Sequence, residues 1–302
     1  MKIDTSQIMQ PKNALVQPLN DLESVCTFGK DAQLAGIYTP SRGVDTSLPC
    51  ALFLTAGLLH HVGPHRFYVE MARNLATIGT PSLRFDLAGV GDSETRSGGS
   101  AYAQRSVEDI KDAMDHLNAV FGHEEFVLIG LCSGADDALA TALKDRRVVG
   151  AVLLNGYAYR AGNFFFYRLL NFYLPRLFMA EKWRNRLAKL TGRTLPDPES
   201  TASMALDDDY RYIPPQTETA QHIATLTQQG TQLLFVYTGS EHEEYTYKGQ
   251  LFDMFPSEKD NVRLRERYLK GADHTLVLKK DRQLLSDWIV SWFKGVPFKR
   301  AG

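Results

Sequence analysis

The sequence predicts an α/β protein: a mostly parallel eight-stranded sheet with a helical cap inserted between its sixth and seventh strands. Three observations lead there. Short β-branched and aromatic runs alternate with longer amphipathic ones, as strands and crossover helices do around a parallel sheet. One of those runs, FVLIGL (126–131), breaks into a glycine-framed turn followed by a helix-forming stretch. Residues 157–216 depart from the alternation.

Strands are expected near ESVCTFG (23–29), QLAGIYT (33–39), CALFLTA (50–56) and PSLRFD (81–86). Four more are expected near EFVLIG (125–130), VVGAVLLN (148–155), TQLLFVYT (231–238) and VRLRERYL (262–269). Helical patterns lie between them in RFYVEMARNLATIG, RSVEDIKDAMDHLNAVF, the stretch after Cys132, and RQLLSDWIVSWFK. In the first of these, Phe67, Met71, Leu75 and Ile78 recur at helical spacing and face the sheet. The departure at 157–216 holds ten aromatics between Tyr157 and Trp183, then basic and loop-like sequence. A stretch of that length is not a plain loop in a compact domain. It predicts a small helical cap over a core domain made of 1–156 and 217–302. Most of the aromatics are expected to pack the cap onto the core, and a few to line an apolar pocket.

Composition narrows the function. The chain has 302 residues, 44% hydrophobic and 23% charged, with a formal net charge of −1. That balance gives no support for nucleic-acid binding, and no basic run marks a membrane-surface patch. The opening MKIDTSQIMQPKNA lacks the apolar core of a signal peptide, and no run is long enough to span a bilayer. Three widely spaced cysteines, Cys26, Cys50 and Cys132, form no CxxC pair. A reducing, cytoplasmic setting with free thiols is the expectation. No metal or cofactor is expected. His60-His61 lacks spaced partners, and the EHEE run at 241–244 is too crowded to close a site from one loop.

The chemistry-bearing stretch is FVLIGLCSGAD (126–136). Strand, tight turn and helix form the setting of a nucleophile elbow, which wants glycine two residues before and two after the nucleophile. Counting from Cys132 finds Gly130 and Gly134, whereas counting from Ser133 finds Leu131 and Ala135. The frame points to Cys132. A base within reach and a group to orient it are then needed. In the chain order nucleophile, acid, histidine, the base falls after the last strand, where LKGADHTLVL supplies His274. The acid falls after the seventh strand, where VYTGSEHEEY supplies Glu241, Glu243 and Glu244. Glu241 is preferred because it comes first after the Gly239-Ser240 turn. The oxyanion donors are the backbone N–H of Ser133 and that of Leu58, which follows Gly57 in TAGLLHHVGPHR. Ser133 thus serves through its amide rather than its hydroxyl. The glycine-rich DLAGVGDS (86–93) lacks a phosphate-loop ending and reads as a turn in which Asp86 ties down backbone amides.

Together, TAGLLHHVGPHR, RFDLAGVGDS, GLCSGAD and GADHT resemble the α/β-hydrolase superfamily, and in particular the bacterial serine-aminopeptidase-like (S33-type) hydrolases. The resemblance covers nearly the whole chain and implies an α/β-hydrolase fold. It departs from the majority pattern at Cys132, where most members carry serine. Dienelactone hydrolases and polyhydroxyalkanoate synthases are similar in their Gly-x-Cys-x-Gly elbow. Peptidase activity holds for only some members and is not carried over.

The leading expectation is a hydrolase that uses Cys132, His274 and Glu241 to cleave an ester or thioester through an acyl-cysteine. Its partner is a small-molecule acyl substrate, with a carrier- or CoA-linked acyl group open. An acyltransferase of the same chemistry and a non-catalytic binding module of the same fold are the alternatives.

Overall fold

Strands form where short runs are apolar on both faces, and helices where the apolar period lengthens to that of one helical stripe. In a computed structural model, residues 15–19, 22–42, 48–57, 59–96, 102–174 and 211–298 are described. The strands are β1 (Leu15–Pro18), β2 (Ser24–Phe28), β3 (Leu34–Thr39), β4 (Cys50–Leu54) and β5 (Ser82–Phe85). They continue with β6 (Phe126–Leu131), β7 (Val148–Leu154), β8 (Gln232–Thr238) and β9 (Leu264–Leu269). The helices are α1 (Phe67–Thr77), α2 (Tyr102–Phe121), α3 (Ser133–Lys144), α4 (Phe164–Arg168), α5 (Gln216–Gln228), α6 (Gln250–Met254) and α7 (Lys279–Gly295).

The strands form one sheet in the order β1-β2-β3-β5-β4-β6-β7-β8-β9. The first three add antiparallel, and every pairing from β5 through β9 is parallel. All eight expected strands are present. The further strand, β1, is a four-residue edge strand ending in proline. So short a segment carries no usable alternation, and an edge is where a sheet tolerates proline.

β4 to β8 are buried along their whole length, as strands covered on both faces must be. Alternate residues serve opposite layers. Cys50, Leu52, Leu54, Phe126 and Leu128 meet Ile110 and Met114 of α2, Ala138 of α3 and Ile223 of α5. Ala51, Phe53, Val127 and Ile129 meet Phe67, Met71 and Leu75 of α1 and Leu285 and Ile289 of α7. Each such large side chain, fully buried, contributes about 1.5–3 kcal/mol. Ile78, expected on the same face of α1, is half-buried against that second layer.

The parallel strands all point one way, so the loops after β4, β5, β6, β7, β8 and β9 gather at one edge of the sheet. Ligands of open α/β sheets sit outside that carboxyl edge. Of the expected cap, residues 157–174 and 211–216 are described. They contain α4 and a π-helical turn, Leu169–Tyr173. Phe178 and Trp183 lie outside the described residues. Among the described residues, no helix is long and apolar enough to cross a membrane.

Candidate active site

Cys132 forms the whole turn between β6 and α3, with φ 53° and ψ −119°. Few residues other than glycine adopt such a backbone, and it persists only where the surroundings enforce it. Here the enforcement is steric. A Cβ at Gly130 would run into the backbone carbonyl of Gly134. A Cβ at Gly134 would come within 2.7 Å of the carbonyl oxygens of both Leu54 and Thr55. With both positions bare, β4, β6 and α3 close around the turn. The Cys132 N–H donates to Leu154 O at 2.8 Å, and the Ala135 N–H donates to Cys132 O at 2.9 Å.

The loops after β8 and β9 bring the other two side chains in. Gly239 lets these loops touch, because a Cβ there would overlap the carbonyl of Lys270. His274 Nδ1 then lies 2.6 Å from Glu241 Oε1, and its ring is close enough to the Cys132 thiol to influence its titration. Glu243 and Glu244 point elsewhere: Arg168 Nη2 donates to Glu243 Oε2 at 2.6 Å, and Arg160 Nη2 to Glu244 Oε1 at 3.2 Å. Of the three carboxylates left open by the sequence, the fold brings Glu241 alone to His274.

The electrostatics match this order of contacts. Burial pushes the Cys132 thiol up, but the His274 hydrogen bond and the charges of Arg211 and His274 outweigh it, leaving the thiol below its ordinary value. His274 is raised to about 10 by its hydrogen bonds to Cys132 and Glu241, against the opposing effect of burial. Both shifts favour a thiolate beside an imidazolium, and the two groups titrate as a unit.

Three neighbours were not foreseen. Asn155, at φ 48° just past β7, is fixed by Thr238, whose N–H donates to Asn155 Oδ1 at 2.9 Å. Its Nδ2 lies 3.2 Å from His274 Nδ1. The shorter contact assigns the Nδ1 proton to Glu241, so Asn155 buttresses the ring without receiving that proton. The second is Arg211, which contacts Cys132, Asp136 and Asn155. It sits in the polar stretch DDDYRYIPPQ, where no local pattern marks it. The third is the hydroxyl of Ser133. Gly57 N–H donates to Ser133 Oγ at 2.9 Å, tying the loop after β4 to the start of α3. Besides the amide role expected of Ser133, its hydroxyl at the first position of α3 thus ties down the neighbouring loop. Leu58, the other expected oxyanion donor, lies outside the described residues.

His61 also differs from expectation. The fold supplies the partners that sequence spacing lacked, placing ligand atoms of His61, Asp86 and Asp92 within 4.8 Å of one another. Asp86 is nonetheless engaged: Oδ1 accepts the His61 N–H at 2.6 Å, and Oδ2 accepts His61 Nδ1 at 2.8 Å and the Asp92 N–H at 3.0 Å. It is the amide-tying turn residue the sequence suggested. Among the cap aromatics, Phe164 is buried while Phe165 and Phe166 are exposed. Tyr167 stacks on Tyr247, and Phe172 lies tilted against His242. These rings pack the segment onto the loop that carries Glu241, and the ring of Tyr157 lies under Arg211. A cavity of about 290 Å³ around Lys248, Arg265 and Arg267 opens at the other end of β9, away from this chemistry.

Comparison with known proteins accords with the fold. The family described as serine aminopeptidase, S33, matches residues 50–233. An esterase from Pyrococcus furiosus aligns over 93% of this chain and 89% of its own at 12% identity, with a TM-score of 0.54. A proline iminopeptidase from Mycobacterium smegmatis aligns over 93% of this chain and 98% of its own at 14% identity, with a TM-score of 0.54. An α/β serine hydrolase homologue from Coxiella burnetii aligns over 93% and 97% at 14% identity, with a TM-score of 0.50. At these identities the likeness is one of fold. No curated protein sequence matches the chain.

Proposed function

Because the chain belongs to the serine aminopeptidase (S33) family of α/β hydrolases, we propose that it hydrolyses an ester or thioester through an acyl-cysteine on Cys132. The observation that carries this reading is the succession Cys132, His274, Glu241 at a strained turn. In the first half-reaction the Cys132 thiolate attacks the acyl carbon, and the carbonyl oxygen becomes an oxyanion. The N-terminus of α3 and the loop after β4 flank that oxyanion, and their backbone N–H groups supply the donors. As the intermediate collapses, His274 gives its proton to the departing alcohol or thiol, and a thioester remains on sulfur. In the second half, neutral His274 takes a proton from water, hydroxide adds to the thioester, and Cys132 leaves as thiolate. Glu241 accepts the Nδ1–H throughout and stabilises the imidazolium.

A thiolate expels a thiolate or an activated alkoxide more readily than an amine, which favours thioesters and activated esters over peptides. The free state of Cys132 fits a reducing, cytoplasmic setting. Residues 157–216 form, in this reading, a cap that selects the acyl group. Its described part supports that role by reaching the site through Tyr157 and Arg211.

The test is to quench the protein within milliseconds of mixing with p-nitrophenyl butyrate or butyryl-CoA and to measure peptide masses. A butyryl adduct on the Cys132 peptide, lost in Cys132→Ala, is the expected result. An adduct on the Ser133 hydroxyl, or steady turnover by Cys132→Ala, defeats the reading.

A further inference from the structure

Arg211 is held against the sulfur by the same helix that begins at it. Its Nε donates to Asp136 Oδ2 at 2.6 Å, and its Nη2 donates to Asp136 Oδ1 at 3.1 Å. Asp136 lies in the first turn of α3, four residues beyond Cys132. Nη2 also reaches Asn155 O at 3.4 Å, and the guanidinium stands 5.8 Å from the centre of the Tyr157 ring. This leaves Nη1, which points at Cys132 Sγ from 3.6 Å. A two-point fork on a carboxylate fixes a guanidinium far better than a single contact does.

What such a fixed donor does depends on the sulfur. A neutral thiol is a weak acceptor and gains little from it. A thiolate gains a charge-assisted hydrogen bond in a half-buried place, where it is worth more than in open water. We propose that Arg211 is a catalytic residue that keeps Cys132 as a thiolate in the resting protein and receives the thiolate again when the acyl group departs. This rests on the reading of Cys132 as nucleophile and adds a cation to it from the segment before α5. The direction of the thiol's titration agrees, since the charge of Arg211 is among the influences that lower it. Asp136 acts in the opposite sense, as a like charge near the thiolate, and its own carboxyl is raised to about 6 by burial despite Arg211. Asp136 is therefore the anchor of the fork, and Arg211 the group that acts on sulfur.

The inference is tested by the pH dependence of Cys132 alkylation with iodoacetamide, read by peptide mass spectrometry. Cys26 and Cys50 are buried and serve as internal controls. In the wild-type protein the alkylation midpoint should fall below about 8.5, the ordinary thiol value. Arg211→Gln should raise it by about one pH unit and slow alkylation at neutral pH about tenfold. That variant leaves Asp136 buried and unpaired, so Arg211→Gln/Asp136→Asn is the second variant. Removing the charge of Asp136 lowers the midpoint by itself, so a raised midpoint in the double variant isolates the guanidinium. Arg211→Lys, which keeps the charge and loses the fork, should fall between.

A wild-type midpoint at or above about 8.5 overturns the proposal whatever the variants do. So does a double variant that melts as the wild type does and whose midpoint is no higher than that of Asp136→Asn alone, which would reduce Arg211 to a strut. The two readings fail separately. A depressed, Arg211-dependent midpoint with no acyl adduct on Cys132 removes the nucleophile and leaves the thiolate contact standing. An acyl adduct with an Arg211-independent midpoint removes the present inference alone.

Discussion

His274 Nδ1 stands 2.6 Å from Glu241 Oε1, and the two residues ride on loops that leave adjacent parallel strands. That contact separates three carboxylates that lie within four residues of one another. Glu241→Gln should lower kcat/KM by about 10- to 100-fold, because an amide still accepts a hydrogen bond but no longer stabilises the imidazolium. Glu243→Gln and Glu244→Gln should stay within about threefold of wild type, since surface ion pairs such as theirs contribute little. His274→Asn, which removes the proposed base, should cost roughly 10³-fold or more. Steady-state kinetics on one thioester compares all four. A Glu243→Gln or Glu244→Gln variant weaker than Glu241→Gln would move the acid along the loop.

The ionised pair predicts a bell-shaped pH profile for kcat/KM. The acid limb reports protonation of the pair and should lie below the ordinary thiol range, because Cys132 is lowered. The basic limb reports loss of the imidazolium proton and should fall near 10, where His274 is raised. The same shift bears on stability. A histidine whose folded value exceeds its unfolded one stabilises fully below the unfolded value of about 6.5. That contribution fades as pH rises from there through about 10. A basic limb near 7 would show that His274 holds its proton no more tightly than an ordinary imidazole.

The hydroxyl of Ser133 accepts the Gly57 N–H across the gap between α3 and the loop after β4. Ser133→Ala removes an acceptor worth about 1 kcal/mol and loosens a loop that flanks the proposed oxyanion position. The expected loss is about fivefold, mostly in kcat, with KM little changed. Activity equal to wild type would mean that the loop holds its place without this bond.

Asp137 is buried beneath the site, where it accepts a hydrogen bond from Ser106 Oγ at 2.6 Å. Burial raises its carboxyl to about 7. A carboxyl raised on folding makes the folded state bind protons more tightly, so stability declines as pH climbs from about 4 through about 7. Asp137→Asn removes this dependence. Its melting temperature relative to wild type should therefore improve by a few degrees between pH 4 and pH 8. A difference that is flat with pH would show the carboxyl titrating normally.

Short-range physics made much of this protein legible in its sequence. The two hydrophobic periods marked the eight principal strands and the covering helices, because a strand or helix declares its buried face within a few residues. The spacing of Gly130 and Gly134 around Cys132 marked the turn, because the clash of a Cβ at Gly130 with Gly134 is decided within the turn itself, although that of a Cβ at Gly134 is with β4 and depends on the fold. Tertiary structure decided what depends on loops distant in sequence. Glu241 differs from Glu243 and Glu244 only in which partner the folded loops present, His274 in one case and Arg168 or Arg160 in the others. Arg211 meets Cys132 across 79 residues of chain, and Gly57 meets Ser133 across 76. Side-chain charge and hydrogen bonding carry no periodicity, so they leave no pattern until the carboxyl edge of the sheet gathers the loops and the partners become neighbours.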